Sequence, residues 1–461
     1  MSAQVLDSPA ARRYQSPLPR RIAVPRTTTT VLVAAAVIAS LAPSLLPRSS
    51  LTQAIVTGVA ASLGLALSAI LFRVANRVST PSIHPRTRLI ALAGGTVAIL
   101  AAAMLDARWQ NGLRAAMASE PTSPMHWIEV LYGSISICAI LVVICVGFAR
   151  GTCRLGRTKT AVLLIVSGLS GYFFVLPATW SAFATQSASA DASMDTSLSL
   201  PQSSGRSGSR DSLIDWNSLG REGRKFVTGG DDGSAVRTYV ALDADPVLLT
   251  RARIAVDELQ RSGGFAKSHV VVAIPTGSGW VDENAVTGIE DRFDGDVATV
   301  ALQYSHQPSW VTFLFAKSEA TEAAHAVLDA VRTRIAELPA AARPDLYVYG
   351  QSLGSIGGSA AVAEDRAAIC GTLWAGPPAG EVETGAAVVL ANSSDPVVRW
   401  STDLLTAPPN LDGVRVDAPM PQWIPVISYL QTTVDMVSAL DAPDGHGHRY
   451  GEDQGALLPN C

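Results

Sequence analysis

Charge is scarce in this chain. Only 16% of its 461 residues are Asp, Glu, Lys or Arg, against roughly 25% in ordinary soluble domains. Five stretches carry none at all: 27–47, 49–72, 89–105, 130–149 and 160–183. The net charge of −4 gives no basic surface for nucleic acid, so that partner is excluded. No ionisable residue stands in the middle of these stretches, where a transporter or channel ordinarily needs one. Cysteine is also scarce, at five residues, and histidine at seven. Beside Gly445-His446-Gly447-His448 no Cys or carboxylate stands at ligand spacing, which argues against a metal site. The glycine-rich run 275–280 lacks the lysine of a phosphate-binding loop. No cofactor and no metal are expected.

What is present centres on Gly350-Gln351-Ser352-Leu353-Gly354. The apolar run 346–349 before it reads as a strand, and the small-residue run 355–363 after it reads as a helix. Strand, G-x-S-x-G and helix together form the context of a nucleophile elbow. The serine sits on a turn so tight that flanking Cβ atoms would collide, hence the two glycines. Downstream, the strand-like run 386–391 ends in Asn392-Ser393-Ser394-Asp395-Pro396, which puts a carboxylate just past a strand end. Only His446 and His448 follow Asp395. The order Ser, Asp, His is that of elbow-bearing α/β sheets. His448 is the preferred base, because Tyr450 and Gly451 beside it suggest a loop held to one geometry; His446 is the reserve. The strand 269–274 leads into Pro275-Thr276-Gly277-Ser278-Gly279-Trp280, whose amides can approach a substrate oxygen. With the Leu353 amide, that of Gly277 or Ser278 would complete an oxyanion hole.

The charge-free stretches predict a membrane domain over 27–183 of about five helices, since about 20 apolar residues span a bilayer core. Basic residues alternate between the loops. Arg12, Arg13, Arg20, Arg21 and Arg26 precede the first stretch; Arg73, Arg77, Arg86 and Arg88 follow the second; Arg150, Arg154, Arg157 and Lys159 follow the fourth. The first loop has Arg48 alone, and the third balances Arg108 and Arg114 against Asp106 and Glu120. By the positive-inside rule residues 1–26 form a cytoplasmic tail, and everything from 184 lies outside the cell membrane. Residues 184–211 read as a Ser-rich linker, with nine serines between 184 and 210, too polar to offset their ordering entropy. They are expected to tether the domain that follows.

Residues 212–461 alternate strand and helix patterns. Strands are expected at 236–242, 270–274, 296–304, 346–349, 371–375 and 386–391, and helices at 246–261, 319–338 and 422–440. This predicts a mostly parallel sheet covered by helices on both faces. Cys370 and Cys461 are the two cysteines of this domain. They form a disulfide in an oxidising compartment, or stand as a buried thiol and a terminal one.

The sequence resembles the actinobacterial membrane-bound α/β-hydrolases, in which a multi-span region precedes the hydrolase domain. The resemblance is carried by 220–227 (GREGRKFV), by Thr276 to Val281 (TGSGWV), by Gln303-Tyr304-Ser305 with Pro308-Ser309-Trp310, by the elbow, by Ser394-Asp395-Pro396-Val397 and by 445–450 (GHGHRY). It implies an α/β-hydrolase fold and serine hydrolase chemistry, and no particular substrate. The expected activity is that of an esterase or lipase on a hydrophobic acyl or ester substrate at the lipid bilayer. An acyltransferase with the same triad, or a catalytically silent scaffold, is the alternative. Trp280, Trp310, Trp374 and Trp400 are candidates to line an acyl groove. The sequence leaves the oligomeric state undefined.

Overall fold

The structure, a computed structural model, describes residues 25–75, 84–230, 233–366 and 368–461. Arg12, Arg13, Arg20 and Arg21 of the expected basic tail, and Arg77, lie outside the described residues.

The N-terminal half is helical: α1 Thr27–Ser40, α2 Ser50–Ala75, α3 Pro85–Ala116, α4 Pro124–Leu155, α5 Arg157–Ser170 and α6 Leu176–Ala192. A short π segment, Gly171–Val175, joins α5 to α6 just ahead of Pro177, the kind of ladder adjustment a proline demands. Four of these helices are long and apolar enough to cross a membrane: α2, α3, α4 and the joined α5–α6. The first expected span differs. Its helix stops at Ser40 because the backbone before Pro43 is turned away from helical geometry, leaving 14 residues, or about 21 Å of helix. The charge-free stretch 89–105 is the middle of a 32-residue helix.

Residues 184–211 are not a free tether. Helix α6 runs on to Ala192, and Asp191 at its end is buried. Arg206 and Ser207 pack against the sheet edge: Ser207 N donates to Arg237 O (3.1 Å) and Arg237 N to Gly205 O (3.1 Å). The Arg206 guanidinium donates to Val227 O and Gly229 O. Serine richness argued for disorder, but backbone pairing with an edge strand and one buried arginine supply the ordering energy that composition does not reveal.

The C-terminal half begins with α7 Gly220–Thr228 and continues β1 Val236–Val240, α8 Leu248–Arg261, β2 His269–Ile274, α9 Glu283–Arg292, β3 Val297–Leu302, α10 Ser309–Phe315, α11 Lys317–Glu337, β4 Asp345–Gln351, α12 Leu353–Glu364, β5 Gly371–Ala375, β6 Val388–Leu390 and α13 Ile427–Asp435. The strands form one parallel sheet in the order β1-β3-β2-β4-β5-β6. Central strands such as Val-Val-Val-Ala-Ile of β2 are apolar on both faces because helices cover both faces, and β1, β3 and β5 are buried throughout. The expected long helix at 422–440 is shorter, with α13 passing into a single 3₁₀ turn at Met436–Ser438. Pro425 and the left-handed Val426 (φ 65°) delay its start to Ile427, and α13 is nine residues long.

The two halves meet at the loop after α1. Leu45, Leu46, Leu113 and Met117 of the helical half pack with Ala418 and Ala442. A buried ion pair seals the junction: Arg48 Nη2 lies 2.8 Å from Asp435 Oδ1, and Leu45 N donates to Asp435 Oδ2 (2.7 Å).

Candidate active site

β4 delivers Ser352 to the C-terminal edge of the sheet, where β2 and β5 flank it. Its backbone is left-handed (φ 52°, ψ −120°), a region costly for any residue with a Cβ. The glycines on either side explain how the turn closes. A Cβ on Gly354 would stand 2.1 Å from Ile274 O, and one on Gly350 2.5 Å from Gly354 O. The turn is anchored by Ser352 N donating to Ala375 O (2.9 Å).

Asp395 follows β6 and is fully buried. One carboxylate oxygen, Oδ1, accepts from Val397 N (2.8 Å). The other, Oδ2, accepts from His448 Nδ1 (2.7 Å) and from the Tyr450 hydroxyl (2.7 Å). Since a carboxylate only accepts, His448 carries its proton on Nδ1, which leaves Nε2 as a base. Burial, reinforced by the charge of Asp395, pushes the Tyr450 phenol well above its ordinary value, so it stays a donor. His446 takes another partner: its Nδ1 lies 3.0 Å from Asp417 Oδ2. Asp417 in turn accepts from Ser393 Oγ, Ser394 N and Ser394 Oγ. Asn392 Nδ2 donates to Gly447 O (2.9 Å), Gly447 N to Ser394 Oγ (2.7 Å), and Arg415 holds Asn392 Oδ1. The acid turn and the histidine loop are thus laced together. Tyr450 entered the sequence reading only as a neighbour. Asn392, Arg415 and Asp417 left no local signal, because their contacts join segments more than 20 residues apart.

Ser352, Leu353, His448 and Ser278 line one cavity of about 640 Å³. Leu353 opens α12, where the first amides of a helix have no intrahelical acceptor. Among the described residues the Ser278 amide has no backbone acceptor either. The loop is stiff: Tyr304 donates to Pro275 O, Tyr239 to Gly279 O, and Gln303 Nε2 to Ser278 O. Gly277 does not line the cavity. It packs beneath α10, with a hypothetical Cβ 2.7 Å from Thr312 Oγ1. Of the four candidate tryptophans, Trp310 and Trp400 line the cavity; Trp374 is fully buried core, and Trp280 is absent from the lining.

The cavity wall is divided. Trp310, Phe313, Leu314, Trp400, Val437 and Leu440 make it apolar on one side. The lining also holds a polar cluster, Asp191, Arg221, Glu222 and His306. There Asp191 at the end of α6 accepts from Arg221 N (3.1 Å) and Gln303 Nε2 (3.1 Å), and lies 3.1 Å from His306 Nδ1. The hydrogen bond to Asp191, opposed by burial, raises the His306 pKa above its ordinary value. The long apolar helix that ends in α6 is therefore part of the cavity.

Cys370 and Cys461 are joined as a disulfide, with Cα atoms 5.2 Å apart, within the usual range. Asp345 stands near both sulfurs, but a disulfide offers no thiolate to an ion.

A parallel sheet with a strained serine after its central strand, and a carboxylate–histidine pair brought in from two later loops, defines an α/β-hydrolase fold. Comparison with known families agrees. Residues 236–387 and 382–458 match the family described as alpha/beta-hydrolase family, and residues 41–230 match the one described as alpha/beta-hydrolase family N-terminus. The chain belongs to this α/β-hydrolase family. Comparison with curated proteins and with solved structures gives no match.

Proposed function

We propose that the protein is a membrane-anchored serine hydrolase of esterase or lipase type that cleaves hydrophobic acyl esters drawn from the bilayer. The observation that carries this reading is the shared cavity. A serine on a strained elbow and a histidine already oriented by a buried carboxylate open onto one apolar wall. In the reaction, His448 Nε2 accepts the Ser352 proton as Oγ attacks the ester carbonyl. The amides of Leu353 and Ser278 stabilise the oxyanion. Asp395 stabilises the imidazolium, which returns its proton to the departing alcohol. Water then repeats the cycle on the acyl-enzyme, releasing the acid.

A lipid substrate is supported by the lip of the cavity. Trp310, Leu314 and Phe315 of α10 are 61%, 56% and 68% exposed, and Val437 opposite is 84% exposed. Trp180 of α6 packs edge-on against Phe315 (5.7 Å between centroids), and Phe183 lies 6.5 Å from Trp310. An exposed apolar lip joined by aromatic contacts to a membrane helix suits a site that receives its substrate from the bilayer.

An extracytoplasmic site is supported by the path of the chain. The loop after α1 and the ends of α3 and α6 contact the catalytic domain. Arg73, Arg86 and Arg88, and Arg150, Arg154 and Lys159, stand at the opposite ends of these helices. α1 therefore counts as a fifth segment in the alternation although its helix is short, and the positive-inside rule puts the catalytic domain outside.

A fluorophosphonate probe tests chemistry and location together. A membrane-impermeant form is expected to label the wild type on spheroplasts and to leave Ser352→Ala unlabelled. Folded, detergent-solubilised wild type that takes up no probe would sink the enzyme reading. Labelling only after solubilisation would overturn the orientation.

A further inference from the structure

α1 and α2 run antiparallel, and their side chains fix the register between them. At one end Arg26 lies over the Phe72 ring (3.2 Å), beside Arg73. Thr29 Oγ1 lies 2.6 Å from Ser68 Oγ, and at the other end Ser40 Oγ donates to Thr57 Oγ1 (3.0 Å). Arg26 and Arg73 thus mark one level. A hydrocarbon layer about 30 Å thick takes up about 20 residues of helix. Counted back from Arg73 along α2, it ends beside Gln53, whose Nε2 donates to Ser40 O (3.0 Å). Any tilt of the helices moves this boundary toward Ser50.

α13 of the C-terminal half docks at that boundary. Gln431 Nε2 donates to Ala39 O (2.7 Å), in the last turn of α1. Asp435 accepts from Leu45 N and from Arg48 just beyond it. At about 100° per residue, the sides of α13 meet different surroundings. Gln431 and Asp435 face the helical half. Tyr429 and Thr433 face Trp400, by ring stacking (5.8 Å between centroids) and by a hydrogen bond from Trp400 Nε1 (2.8 Å). Thr432, on a third side, is buried. The remaining side, opposite Thr432, carries Leu430 and Val434, and Leu430 is 56% exposed. Val426 before the helix and Val437 after it are exposed as well.

Water is a poor solvent for such a stripe, and a contiguous exposed apolar surface marks a contact. Two observations point to lipid as the partner. The stripe is tied to the last turn of α1, at the level where the hydrocarbon layer ends. It also leads from that level to the site: Val437 and Leu440 line the cavity that holds Ser352. A short helix that is polar toward its protein neighbours and apolar on its free side suits the plane of a membrane surface.

We propose that α13 lies in the edge of the bilayer, with Val426, Leu430 and Val437 covered by lipid acyl chains. This rests on the membrane-anchored reading above. The C-terminal half is then immersed at this helix rather than held clear of the lipid. The stripe gives an acyl chain an apolar path from the leaflet to the rim of the cavity.

The test is nitroxide accessibility in the full chain, one copy per phosphatidylcholine nanodisc, with Cys138, Cys145 and Cys153 replaced by serine. Leu430→Cys and Val426→Cys carry the label in turn, so the outcome does not hang on one variant. Leu63→Cys, exposed and halfway along α2, is the reference for hydrocarbon. Ala341→Cys, exposed just before β4 and so at the sheet edge remote from Ser352, is the reference for water. Collisions with molecular oxygen, which concentrates in hydrocarbon, are compared with collisions with a neutral nickel chelate, which stays in water. The expected result at Leu430 and Val426 is a loss of nickel collisions relative to Ala341, with oxygen collisions raised toward those at Leu63. A single copy per disc removes a second chain as the cover. Nickel collisions at either site equal to those at Ala341, while Leu63 stays shielded, overturn the proposal and leave the membrane anchor standing. Nickel reaching Leu63 as well would sink the anchor, and this inference with it.

Discussion

The sharpest question at the level of single residues is which histidine works. His446 and His448 stand two positions apart in one loop, yet each has its own carboxylate, Asp417 and Asp395 respectively. Only His448 lines the cavity with Ser352. His448→Ala should lower kcat on a chromogenic acyl ester by a factor on the order of 10⁴ or more. His446→Gln should keep activity within about tenfold, because it loosens a loop and removes no proton acceptor. Tyr450→Phe sits between them. It removes one of two donors to Asp395 Oδ2, and loss of a hydrogen bond to a charged group is worth about 1.5–3 kcal/mol. Steady-state kinetics should show the loss in kcat with KM little changed, since the phenol touches the acid and not the substrate. Equal losses in His446→Gln and His448→Ala would contradict this division of roles.

Among the elements, the elbow depends on β2 as much as on its own strand. Gly354→Ala would drive a methyl into the Ile274 carbonyl at the end of β2. Backbone cannot rotate away as a side chain can, so the expected cost is about 1–3 kcal/mol of stability, with loss of probe labelling from a displaced Ser352. Denaturation and labelling of the purified variant check both. The elements that carry this machinery were legible in the sequence. β5 matches its expected bounds, and β2, β4 and the serine turn fall within a residue or two, because buried parallel strands are short apolar runs between turn residues. The helices of the rim were not. α10, Ser-Trp-Val-Thr-Phe-Leu-Phe, is seven residues long and mostly apolar, too short to show a helical period. α13 was over-extended because its apolar spacing runs through Pro425 without marking the break. The polar cluster of the cavity was invisible for another reason: Asp191, Arg221 and His306 are brought together only by tertiary structure.

For the whole molecule, the decisive contact is between the halves. Arg48 and Asp435 are 2% and 0% exposed, and burial raises the Asp435 pKa against the pull of Arg48. Removing one partner strands the other, so Arg48→Met should destabilise the folded chain by about 3–5 kcal/mol. The double variant Arg48→Met/Asp435→Leu should recover much of that loss. Thermal unfolding in detergent gives the comparison, and additive losses would show that the pair is not coupled. The absence of a loose tether has a further consequence, drawn from α5–α6. That continuous stretch of 35 residues is about 52 Å long, while the hydrocarbon layer of a bilayer is about 30 Å thick. Its far end is bonded into the cavity that holds Ser352. A domain on a slack leash would meet its substrates at any height above the membrane; one mounted on a rigid post works at a single altitude. On the proposed reading, the choice of which ester along a lipid is cut becomes a matter of depth, set by the length of one helix before any side chain of the pocket makes its own selection.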